Sequence, residues 1–206
     1  YAIGNVTGYD KVGGLVGDMD DSSIDNSYAT GDVSGTASIG GLIGEMDDSS
    51  IDNSYANATV NGSSFVGSLA GYTHSSNIDN SYATGNVSGD EYVGGLAGVN
   101  IFSSSINNSY ATGNVNGSDY VGGLIGSSEQ GSLINASYAT GIVTGSNFVG
   151  GIIGAQTLSS VTNNSYATGL VNASTDHAGG IAGALGLGSG IYNSFSRGDV
   201  YAGNYS

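Results

Sequence analysis

Short apolar runs alternate with short polar ones along the chain, and the alternation itself repeats. Aligned on one aromatic position, the columns fall at Tyr1, Tyr28, Tyr55, Tyr82, Tyr110, Tyr138, Tyr166 and Phe195, at spacings of 27, 27, 27, 28, 28, 28 and 29 residues. A fixed period of this length outranks local signals and marks a stacked repeat architecture. Each unit reads Ile-Asp/Asn-Asn-Ser-Tyr-Ala-Thr-Gly-x-Val, a short turn, Val-Gly-Gly-Leu-Val-Gly and a polar loop of variable length. Two apolar columns mark strand positions: Val12, Ile39, Val66, Val93, Val121, Val149 and Ala178, and Leu15, Leu42, Leu69, Leu96, Leu124, Ile152 and Ile181. A unit with about three such strands cannot bury its own apolar face, whereas copies stacked ~4.8 Å apart share a continuous core and satisfy one another's backbone. The pattern therefore predicts an all-β chain, a parallel β-solenoid (β-helix) of about seven to eight coils. It is expected to be three-sided, and right-handed by the general preference of parallel crossovers. Hexapeptide helices and Ca2+-binding nonapeptide rolls use about 18 residues per coil, and the Asn-centred Leu pattern of leucine-rich repeats is absent. Residues 1–206 read as a single repeat domain, a fragment of a longer solenoid.

Three further columns refine the picture. The Gly-Gly pair recurs at Gly13-Gly14, Gly40-Gly41, Gly94-Gly95, Gly122-Gly123, Gly150-Gly151 and Gly179-Gly180, with Gly67-Ser68 the exception. Repetition of a strand-weakening residue at one place predicts a bend, a bulge or close backbone approach. Asn26, Asn53, Asn80, Asn108, Asn164 and Asn193 share a position interrupted by Ala136, which predicts a structural ladder of stacked amides. The signature aromatics form another stack. Phe195 in a Tyr column says that the ring matters more than the hydroxyl, which favours an inward ring; strict alternation back from Val33, Val87 or Val115 points the ring outward unless a bulge intervenes.

Composition narrows the function classes. With 38 Gly, no Pro and only two Lys plus Arg, long helix-forming side chains are scarce. A net charge of -15 opposes nucleic acid and anionic membranes, because neutralising phosphate needs clustered bases. The chain holds no cysteine, and no run of 18 apolar residues suggests membrane insertion in this segment. An acidic extracellular or cell-surface protein, secreted and prokaryotic, is the expectation.

Chemistry-bearing residues are dispersed. Lys11 and Arg197 stand near opposite ends, and His74 and His177 are isolated, so no catalytic grouping forms and no enzyme is expected. Ten of the 17 carboxylates lie by residue 52. Asp18, Asp20, Asp21 and Asp25 in one repeat match Glu45, Asp47, Asp48 and Asp52 in the next, so rungs would stack like charges. Ca2+ held by Asp18, Asp20, Asp21, Glu45, Asp47 and Asp48 would relieve the repulsion; solvated side chains splayed apart are the other reading. Just before the Val column stand Lys11, Ser38, Phe65, Tyr92, Tyr120, Phe148 and His177. The four central rings, Phe65, Tyr92, Tyr120 and Phe148, make an outward aromatic stripe. It suits a carbohydrate, a cell-surface protein or a neighbouring solenoid, unless it only covers a turn. Arg197-Gly198-Asp199 falls in the register of Thr30-Gly31-Asp32 and reads as coincidence. The Thr column (Thr30, Thr84, Thr112, Thr140, Thr168) lacks the parallel partner an ice-binding face needs. Asn5, Asn57, Asn61, Asn86, Asn107, Asn116, Asn135, Asn163, Asn172 and Asn204 begin Asn-x-Ser/Thr sequons.

Val12-Gly-Gly-Leu-Val-Gly17 and Asn26-Ser-Tyr-Ala-Thr-Gly31, coupled in fixed order to the end of the chain, make it similar to GLUG-motif repeats. That resemblance implies a surface-displayed binding segment, as in adhesin-like bacterial and archaeal proteins and the non-catalytic parts of certain immunoglobulin-cleaving metallopeptidases. It carries over no catalytic residue, and the zinc motif His-Glu-x-x-His of those peptidases is absent from this segment. The expected role is a non-catalytic scaffold presenting a binding surface on a stiff rod. The alternative is a filament subunit self-associating end to end or side by side.

Overall fold

In a computed structural model, residues 1–175 and 177–203 are described; they form a parallel β-solenoid of about seven turns, with no helix among them. The coil that starts at Tyr82 shows the plan, with strands Tyr82–Ala83, Val87–Ser88, Glu91–Gly94, Ala97–Ile101 and Ser105–Asn107. Stacking gives five parallel sheets, first to fifth in that order, of eight, eight, seven, seven and seven strands. The unit thus holds five short strands where the apolar runs suggested about three, because left-handed residues and close-packed glycines place corners inside those runs. Register is column to column: Tyr82 pairs with Tyr55 and Tyr110, Val93 with Val66 and Val121, Ile106 with Ile78 and Ile134. The period lengthens at corners. From the fourth coil one residue is added between the fourth and fifth sheets, Ile101 to Ser105 replacing His74 to Asn77. A further one enters the seventh coil between the second and third sheets, before Ala178.

The interior is two stacked cores. One joins the Ala column of the first sheet (Ala83, Ala111, Ala139) to the Leu column (Leu96, Leu124) and the Ile columns of the fourth and fifth sheets. The other joins the Val columns of the second and third sheets, such as Val87 and Val115 with Val93 and Val121. Both columns read from the sequence are therefore core over the middle coils, each such residue contributing roughly 1.5–3 kcal/mol by burial. The glycines are a packing requirement. A Cβ on Gly95 would stand 2.9 Å from that of Ala111, and one on Gly98 would stand 2.6 Å from the backbone of Phe65 and Val66 in the preceding coil. Ser68, in the second glycine column, is buried and reaches the Ala58 carbonyl at 3.5 Å.

Two corners are closed by buried serine ladders that the sequence reading did not single out. In the first, immediately before the aromatic column, Ser54 N donates to Ser81 Oγ (3.1 Å), Ser81 N to Ser109 Oγ (3.1 Å) and Ser109 N to Ser137 Oγ (3.2 Å). Each hydroxyl donates in turn to the carbonyl two residues back, Ser81 to Asp79 and Ser109 to Asn107. The second ladder runs through Ser22, Ser49, Ser76 and Ser104 at the preceding corner. At both corners the serine carbonyl still accepts from the next coil, as Ser81 O does from Tyr110 N (3.1 Å) and Ser76 O from Ser105 N (2.9 Å), while the serine N–H takes a hydroxyl as its acceptor.

Candidate functional site

The signature aromatics point outward, correcting the expectation of an inward ring. Ala83 and its equivalents face the core, no bulge separates them from the Val87 column, and alternation puts the half-buried rings outside. From Tyr1 to Phe195 they form an eight-ring stack, with centroids 4.7–5.3 Å apart and planes within 2–7°.

The second stripe is also continuous: Phe65–Tyr92 5.2 Å, Tyr92–Tyr120 4.8 Å, Tyr120–Phe148 4.9 Å and Phe148–His177 4.6 Å. Its backbone is left-handed throughout, φ 53–55° at the four central rings. In the third sheet Ser64 pairs with Glu91 and Val66 with Val93, so the aromatic residues between them are bulged out of the ladder. That conformation is costly for an aromatic, and the stacking helps to hold it. Beside the stripe, the column Val99, Ser127 and Ala155 is only 4%, 1% and 5% exposed. The rings lie over it, as Phe65 packs edge-on to Tyr72 at 5.5 Å. Stacked in this way, most ring faces of the stripe are covered by neighbouring rings.

Burial raises the phenol pKa of Tyr92, helped by Glu91 and Tyr120, and that of Tyr72, helped by Glu45 and Asp47; burial also raises Tyr138, between Tyr110 and Tyr166. A phenol harder to ionise in the fold than in the unfolded chain stabilises fully below its unfolded value, about 10, and loses that contribution as pH rises through the folded value. Lys11, raised by hydrogen bonds to Asp18 and Glu45, acts in the same direction. The melting temperature should therefore fall as pH rises above about 10. Tyr92→Phe should lessen the fall; an equal fall in that variant would exclude a contribution from this phenol.

The carboxylates separate into small groups. Lys11 Nζ lies 3.0 Å from Asp18 and 3.1 Å from Glu45. Asp47 pairs with His74 Nδ1 at 2.5 Å, below Asp20 in the same column. Asp21 and Asp48, both left-handed, line an open cleft of about 440 Å³ with Ser22, Ser49, Ser75 and Asn77. Among the described residues no group of three or more His, Cys, Asp or Glu side chains is gathered in a metal-ligating arrangement.

The asparagine column is a corner. Asn26, Asn53, Asn80, Asn108, Asn164 and Asn193 all have φ of 48–49°, as does Ala136, and Asn is among the residues that best tolerate this conformation. Where their amides bond, they reach across to the neighbouring column: Asn26 Nδ2 to Asp25 (2.7 Å), Asn53 to Asp52 (2.9 Å), Asn80 to Asp52 (2.9 Å), Asn164 to Asn135 (3.2 Å) and Asn193 to Asn163 (3.1 Å). At Arg197-Gly198-Asp199, Gly198 packs tightly against the Gly169 backbone and Arg197 covers the Phe195 ring at 5.3 Å, so the tripeptide is an ordinary corner. No helix among the described residues is long and apolar enough to cross a membrane.

One repeated coil, five in-register sheets and two external aromatic ladders define a tandem-repeat parallel β-solenoid. The chain belongs to the family of the GLUG motif, whose model matches residues 8–34, 35–61, 62–88 and 89–116, more than half of its length. No curated protein matches it. Among solved structures it is similar to the crystal structure described as "a putative immunoglobulin A1 protease from Bacteroides ovatus", at TM-score 0.53 and 23% identity. The match covers 84% of this chain and 57% of that one, so the chain spans little more than half of its neighbour's length. At this identity the likeness shows the fold alone.

Proposed function

We propose that this segment is a non-catalytic scaffold of an extracellular, adhesin-like protein, a stiff rod presenting a binding surface to a carbohydrate or a cell-surface protein. The observation that carries the reading is the unbroken pair of aromatic ladders on the outside of the rod, while the repeated Gly, Ala, Val, Leu and Ser columns are committed to packing and corners. Lys11 and Arg197 stand near opposite ends of the chain, which favours display over catalysis. Because the rings are stacked, recognition would run through the Tyr92 and Tyr120 hydroxyls and ring edges, suited to a hydroxyl-rich or peptide partner.

A binding screen against glycans and host-cell surface proteins, run with the parent and the double variant Tyr92→Ala, Tyr120→Ala, tests this. Loss of at least about tenfold in affinity for the captured partner is expected. Unchanged binding in a folded double variant would leave the stripe as a cover for the third and fourth sheets.

A further inference from the structure

The fold sorts the ten sequons. Asn204 lies outside the described residues. At Asn107, Asn135 and Asn163 the required hydroxyl belongs to the buried serine ladder, as Ser109, Ser137 and Ser165, and the asparagine amide is itself engaged. Asn5 and Asn86 accept, through their amide oxygens, the backbone N–H groups of Asp32 and Asn114 in the next coil, each at 2.9 Å. Four others are exposed and make no side-chain hydrogen bond among the described residues: Asn57, Asn61, Asn116 and Asn172. Asn57 stands alone in the Thr column. The other three share one outward column of the second sheet, separated by the small residues Ser88 and Thr144.

We propose that this column is an asparagine-glycosylation face, with Asn61, Asn116 and Asn172 as the acceptors. Each is followed two residues later by a solvent-accessible hydroxyl at the turn toward the third sheet, Ser63, Ser118 or Ser174. Neighbouring rungs lie ~4.8 Å apart, too close for two sugar rings side by side; acceptors on every second rung have roughly 10 Å, and Ser88 and Thr144 leave the space between them clear. In the transfer, asparagine Nδ2 bonds to the anomeric carbon of a glycosyl phosphate donor and that carbon's bond to the phosphate oxygen breaks. The phosphate leaves with the electron pair, and the amide proton passes to a base of the glycosyltransferase. The sugars would line the second sheet, whereas the two aromatic ladders belong to the first and third.

Peptide mass spectrometry of the natively isolated full-length protein tests the assignment. Hexose or N-acetylhexosamine increments are expected on Asn61, Asn116 and Asn172, and none on Asn107, Asn135 or Asn163. Unmodified peptides at all three column positions, or equal occupancy at the corner asparagines, would overturn it. Ser63→Ala, which removes a hydroxyl that makes no hydrogen bond among the described residues, should abolish the sugar at Asn61 alone without lowering the melting temperature. A sugar retained at Asn61 in that variant would also overturn it. None of these outcomes bears on partner binding by the aromatic stripe, so the two proposals fail separately.

Discussion

Alanine in place of Gly122 should unfold the middle of the rod. The added methyl would overlap the carbonyl oxygen of Ile125 and stand 2.8 Å from that of Ile152 in the next coil, so the obstacles on both sides are backbone. No rotamer change relieves the clash. Separating the strands instead would break the pairing of Val121 and Gly122 with Val149 and Gly150. Destabilisation of about 4 kcal/mol or more is expected, at the severe end for a single substitution. Gly186→Ala is the control. Its nearest neighbour would be Thr157 Cγ2 at 3.6 Å, and it should stay within about 1 kcal/mol of the parent. Urea unfolding of both variants checks this; equal midpoints would show that the glycine columns are not packing requirements.

The second large effect is expected at Ser109. Its hydroxyl accepts from Ser81 N and donates to the Asn107 carbonyl at 2.8 Å, with no side-chain exposure to water. Ser109→Ala leaves the buried Ser81 N–H without an acceptor, at about 1–3 kcal/mol, whereas the Asn107 carbonyl keeps its bond from Asn80 N at 3.1 Å. A loss of roughly 1–3 kcal/mol follows, against less than about 0.5 kcal/mol for Ser88→Ala on the outside of the second sheet. Amide exchange adds a local signature, since Ser81 N–H should lose protection first. If both variants melt alike, the hydroxyl ladder contributes nothing to the corner.

These two sites mark where the sequence was legible and where it was not. The period, the parallel stacking and the Val and Leu core columns followed from spacing alone, because stacked identical coils turn a sequence column into a physical one. The serine ladder had the same signal, a Ser directly before the aromatic in seven successive repeats from Ser27 to Ser194, but serine is too common in this chain for its type alone to attract notice. The direction of the Tyr ring turned on parity. Tyr82 is five residues before Val87, an odd interval that alternation reads as opposite faces; the pull toward burying an aromatic had to yield because Ala83 fills the inward place. The count of strands was short because a corner lies within an apolar run, at Gly95-Leu96 between strands Glu91–Gly94 and Ala97–Ile101, and a leucine there is a poor sequence marker for a bend. For the aspartates, stacking in register was readable. Which neighbour answers each charge depended on Lys11, His74 and the Asn amides in adjacent columns, whose reach spacing does not encode.

Cryo-electron tomography of intact cells, with the segment marked by a specific antibody fragment, tests the scaffold reading most directly. The account predicts discrete straight rods projecting from the cell surface, each carrying the label at a fixed distance from its base. Continuous fibres in which labelled segments repeat end to end, or label confined to the cell interior, would contradict it.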